Sequence, residues 1–164
     1  MADRSTITRP GGIRRGWLAS AQAVLSLRRP QLGDHRGRYL ATLALRIAGA
    51  VLLGIIGYIH WHLWQEGYKF IATNGPLFLV DAIAAVLLAV LVLAWARPLT
   101  GVAATGFTVA TIGALVISLQ VGLFGFHESI HSSFVVESLV LESIAAVILA
   151  VWTVIAASAV YRRG

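Results

Sequence analysis

Four long apolar stretches separated by short polar breaks dominate the chain. The first runs from about Leu43 to Trp64, and the second from about Leu77 to Trp95. The third runs from about Val102 to Phe126, and the fourth from about Phe134 to Val160. A helix needs roughly 20 apolar residues to cross a hydrocarbon core. Each stretch meets that length, and no repeat at a solenoid period intervenes. The pattern predicts an all-α membrane protein, an up-and-down bundle of four transmembrane helices built as two hairpins. Residues 1–38 form a basic tail ahead of a transmembrane domain at 39–164. Arg46 is the only basic residue inside a stretch. It lies near one end, where its long side chain can snorkel to the headgroups.

Composition agrees with this reading. The chain is 58% hydrophobic and 12% charged, with a mean hydropathy of +0.81. A soluble domain carries about twice that share of charge. Heavy use of Ala, Arg, Gly and Val with a single lysine points to a bacterial source of high GC content.

Charge then sets the expected orientation. Arg4, Arg9, Arg14, Arg15, Arg28, Arg29, Arg36 and Arg38 precede the first stretch, Arg97 sits between the second and third, and Arg162 and Arg163 end the chain. The other two connections hold only Lys69. The positive-inside rule therefore places both termini and the Arg97 turn in the cytoplasm of a cell-membrane protein. Tyr58, Trp61, Trp64 and Tyr68 then belong to an outer aromatic belt, and Trp95, Trp152 and Tyr161 lie toward the inner one. In the tail, Trp17, Ala21, Val24 and Leu25 share one helical face between arginine pairs. This reads either as an amphipathic helix on the anionic inner leaflet or as a disordered basic tail. Arginines of this kind serve topology, so no nucleic-acid partner is expected. No apolar core followed by a small-residue cleavage site occurs in the first 40 residues, so no signal peptide is expected.

Small residues at four-residue spacing suggest how the helices pack. The third stretch carries Gly106, Ala110, Ala114, Ser118 and Gly122, a row that would let two backbones approach closely. The fourth carries Ser138, Glu142, Ala146 and Ala150, and the second Asp81, Ala85 and Ala89. A charge facing hydrocarbon is costly, so Asp81 and Glu142 are expected to face the bundle interior in the outer half of the membrane. Such buried carboxylates relay protons, bind a cation, or serve structure through hydrogen bonds to Ser118, Ser138, Ser143, Gln120 or Thr111.

Four of the five histidines, His60, His62, His127 and His131, fall at the expected outer face, with Glu66, Glu128 and Glu137 at the same level. Imidazoles and carboxylates converging there would suit Zn, Cu or a haem, with His60, His62, His127, His131 and Glu137 as candidate ligands. The competing reading is an interfacial belt of amphipathic side chains. On a helix His60 and His62 point roughly 200° apart, which opposes a shared site. His127-Glu128-Ser129-Ile130-His131 also spells H-E-x-x-H, the zinc-protease signature. That motif works inside a helix with a third ligand from elsewhere. Here it follows Gly122, Gly125 and Phe126 at the end of a stretch, and reads as an interfacial loop. The chain has no cysteine, which excludes disulfides, thiolate metal sites and cysteine nucleophiles. Phosphate-binding glycine loops and nucleophile elbows are also missing from the sequence.

Ile59 to Trp64, Gly67 to Ile71, Gly75 to Leu79 and Val121 to Phe126 together resemble a group of small four-span membrane proteins common in actinobacteria. The similarity covers about Leu43 to Val160 and implies a fold and a membrane location, with no activity attached. In that group the position of His127 is often arginine, which opposes a ligand role for it. Three function classes follow. The leading one is a non-enzymatic accessory or interaction subunit with a His/carboxylate-rich outer face, meeting a membrane-protein partner or another copy of itself. The second is a metal- or haem-binding, redox-associated protein. The third is a proton- or cation-linked carrier working as an oligomer through Asp81 and Glu142.

Overall fold

The computed structural model describes residues 36–161, and these fold into four helices with no strand among them. They are α1 (Arg36–Glu66), α2 (Asn74–Ala94), α3 (Pro98–Gln120) and α4 (Val135–Tyr161). All four are long and apolar enough to cross a membrane. The expected amphipathic segment around Trp17 lies outside the described residues, as do Arg162 and Arg163.

The helices form a closed ring: α1 packs on α2 and α4, α3 packs on α4 and α2, and no diagonal pair touches. The α2–α3 seam is the loosest of the four. Leu53, Ile56, Ala85, Val92, Ala104, Leu149 and Trp152 fill the centre. The outward faces stay apolar, with Val80, Ile83, Leu87 and Val90 exposed on α2, and Val140, Val147 and Val154 on α4. Apolar surface on this scale is a liability in water and an advantage in lipid. Several hydroxyls inside the helices are satisfied locally, though the buried Thr105 hydroxyl has no partner. Thr42, Thr108, Thr153 and Ser158 each donate to a carbonyl three or four residues earlier.

The third stretch departs from expectation in two ways. Helix α3 stops at Gln120, six residues before the expected Phe126. Gly122 has φ 85 and donates its N–H to the Ile117 carbonyl, a left-handed ending that suits glycine. Phe124 (φ 51) and Gly125 (φ 78) then form a tight turn in which Leu123 and Phe126 exchange both backbone hydrogen bonds. The packing row also differs. Gly106 and Ala110 are exposed, and nothing lies within 4 Å of a side chain added at Gly106. The residues of α3 that are buried are Pro98, Gly101, Ala104, Thr108, Thr111 and Ser118. A row at spacing four drifts by about 40° per step, so five members sweep roughly 160° and cannot all meet one neighbour. Ala114 and Ser118 end that row inside the bundle, while Gly122 lies in the loop.

Arg46 also has a different part. Its guanidinium donates across to the Val92 (3.2 Å) and Leu93 carbonyls in the last turn of α2. Those carbonyls lack intrahelical partners, and a cation there also complements the helix dipole.

Candidate functional site: a carboxylate-bearing cavity between α2 and α3

The loose seam encloses a cavity of about 400 Å3. Its walls come from all four helices and both connections at the histidine end of the bundle. Five of the six phenylalanines, Phe78, Phe107, Phe124, Phe126 and Phe134, line it, with Tyr68. Among its lining residues Leu77 and Ala110, between α2 and α3, and Phe124, in the α3–α4 connection, are exposed, so the cavity opens sideways as well as toward that connection.

Asp81 and Glu142 both face this space. Each stands seven residues into its helix, about 10 Å from the helix start. Asp81 lies within electrostatic reach of Glu142 and of His60. Glu142 is 1% exposed, and its Oε2 has no hydrogen-bond partner. The Thr111 hydroxyl lies beside it and has one proton to share between this carboxylate and the Thr108 carbonyl, 2.9 Å away. Asn74, also buried, donates Nδ2 to the Leu123 carbonyl at 3.3 Å and leaves Oδ1 without a partner. His60 Nδ1 lies 2.9 Å from the Ile56 carbonyl, which only accepts. The ring therefore carries its proton on Nδ1, and Nε2 of the neutral form is an acceptor.

The polar lining holds more acceptors than free donors: the Ser138 hydroxyl and the second Asn74 N–H are the donors left over. Besides Thr111 and Asn74, the Ser118 hydroxyl is spent on the Phe126 carbonyl at 3.4 Å, and the Tyr68 hydroxyl on Glu128 Oε2 at 2.6 Å. The Tyr68–Glu128 bond joins the α1–α2 connection to the α3–α4 connection beside the cavity. Burial first, then the bond to Glu128 and its charge, raise the Tyr68 phenol above its ordinary range. A raised phenol stabilises the fold fully below the free value near pH 10, and that contribution is lost as pH rises through the folded value. An alkaline titration followed by tyrosinate absorbance is expected to show a step well above pH 10. Tyr68→Phe should remove it, and Glu128→Gln should move it down. A titration unchanged by Tyr68→Phe refutes the assignment.

The histidines do not form one ligand set. Among the described residues no group of three or more His, Asp or Glu side chains is placed to hold a metal ion. His60 is buried at the cavity, while His62 turns away, 3.2 Å from Glu66 and stacked on Tyr58. His127 is exposed, with its ring against Gly122, and His131 and Glu137 are exposed. Gln120 is also exposed, as the last residue of α3, rather than a buried polar group. The H-E-x-x-H run is a loop, as its glycines imply. Glu128 serves there as the Tyr68 acceptor, and its N–H bonds the Ser118 carbonyl near the end of α3.

Asp81 and Glu142 were legible as interior carboxylates. Asn74 and Tyr68 were not singled out, although Asn74-Gly75-Pro76 marks a helix start. The phenylalanines clustered around the connection between α3 and α4 were the remaining signal. Comparison with known proteins returns no matching family model, no matching curated protein and no matching solved structure.

Proposed function

We propose that this small polytopic membrane protein acts by binding and not by catalysis. Its cavity between α2 and α3 takes an apolar molecule from the lipid phase, and the protein serves as the binding or accessory subunit for that molecule. One observation carries the reading: a space of about 400 Å3, walled mainly by aromatic and aliphatic side chains, with Asp81 and Glu142 among its few polar groups. Small-molecule sites have this size and this balance of apolar wall and few polar groups. The sideways mouth supports access from the bilayer. The arginine distribution supports cytoplasmic termini in a cell membrane, which puts the cavity in the outer half.

Filling the cavity tests this. The test uses 1-dodecanol at ten times its dissociation constant, where binding adds about 1.4 kcal/mol of stability. It should stabilise the wild type by that amount, read as a higher unfolding temperature, and leave Ala114→Phe unmoved. Equal shifts in the two proteins, or none in the wild type, overturn the reading.

A further inference from the structure

Three features of the cavity bear on the chemistry of its ligand. The first is the pair of orphan acceptors. Glu142 Oε2 and Asn74 Oδ1 belong to side chains 1% and 4% exposed, and neither oxygen has a partner. A buried acceptor without a donor costs the desolvation of that group, about 1–3 kcal/mol and more when charged. A ligand carrying N–H or O–H groups removes that cost. The second is charge. Asp81 and Glu142 line the cavity together, and the described cationic side chains, Arg38, Arg46, Lys69 and Arg97, are absent from its lining. Lys69 lies outside, over Trp64 and Phe70. The third is the aromatic wall, since ring faces attract cations most strongly where water is excluded.

These features select among ligands. An anion would meet two carboxylates, which the Ser138 hydroxyl and one Asn74 N–H do not offset. A divalent ion would need six or more oxygen ligands, or three or more His and carboxylate groups, and no such set of protein side chains converges among the described residues. An ammonium group supplies both the positive charge and the N–H donors.

Resting on the binding function proposed above, we infer that the ligand is an amphiphilic primary or secondary amine in its ammonium form. The head bonds Glu142 beside Asp81, and the hydrocarbon tail lies along Phe78, Phe107 and Leu115 toward the α2–α3 mouth. Asp81 balances the charge, and His60 offers Nε2 as a further acceptor.

The test compares two ligands of equal chain length, dodecylamine and 1-dodecanol, on protein in nanodiscs of zwitterionic lipid at neutral pH. Affinities come from displacement of radiolabelled dodecylamine. Wild type should prefer the amine by about tenfold or more, the value of one charge-assisted hydrogen bond. Glu142→Gln keeps the shape and removes the charge, and should cut that preference to about threefold or less with dodecanol affinity unchanged. Asp81→Asn, at a less buried position, should do the same and serves if Glu142→Gln does not fold. Dodecanol binding wild type as tightly as the amine overturns the ammonium inference and leaves the cavity reading standing. A preference that survives both substitutions overturns it as well. Amine binding that Ala114→Phe does not reduce places the ligand elsewhere and overturns both.

Discussion

Leucine at Gly101 is expected to abolish recovery of folded protein, whereas leucine at Gly106, five residues on along the same helix, should be tolerated. A Cβ added at Gly101 would collide with the Thr153 hydroxyl and stand 3.0 Å from the Trp152 ring. Trp152 is 2% exposed and packed in the bundle centre, so it has nowhere to retreat. Overpacking in a filled core costs about 1–3 kcal/mol and more where backbones must separate. In a bilayer, where helix association depends on close packing, separating α3 from α4 removes most of what holds that pair together. Gly106 has open space around it and points to lipid. Size-exclusion profiles of the two variants after mild solubilisation decide the matter. Comparable monodisperse yields would remove Gly101 as the contact point.

The second large effect is expected at Arg46. Arg46→Met keeps the length of the stem and removes the bonds to the Val92 and Leu93 carbonyls. Hydrogen bonds from a charged donor contribute about 1.5–3 kcal/mol each, so a loss of roughly 3 kcal/mol is expected. Arg46→Lys should recover part of it, since an ammonium can reach one carbonyl but lacks the fork that spans two. Thermal unfolding of the three proteins in one detergent measures this. A melting temperature for Arg46→Met equal to that of wild type would show that the end of α2 needs no cap.

The two residues show what the sequence did and did not make legible. The four helices are plain from hydropathy, because lipid demands apolar runs of a set length. Asp81 and Glu142 are plain as interior groups for the same energetic reason. The contacts between helices are less plain. Glycine is small wherever it occurs, and spacing alone does not separate Gly101, wedged against Trp152, from Gly106, which faces out. The last turn of α3 was overrun because Val121-Gly122-Leu123-Phe124-Gly125-Phe126 is as apolar as a helix. Its positive φ angles at Gly122, Phe124 and Gly125 make it a turn. Arg46 was read from its own helix alone, while its partners are 46 and 47 residues away. The cavity arises from a loose seam between two helices, a tertiary property with no one-dimensional trace, and only its aromatic lining hinted at it.

The sideways mouth at Leu77 and Ala110 changes what a measured affinity means for this protein. A site that opens to the hydrocarbon is filled by molecules already dissolved there, so occupancy follows the mole fraction of ligand in the leaflet. A compound that partitions strongly into membranes will then saturate the cavity at a very low aqueous concentration while binding only weakly from the lipid. Two compounds of equal intrinsic fit will rank by their partition coefficients, and the same protein will seem tighter or weaker as the lipid-to-protein ratio is changed.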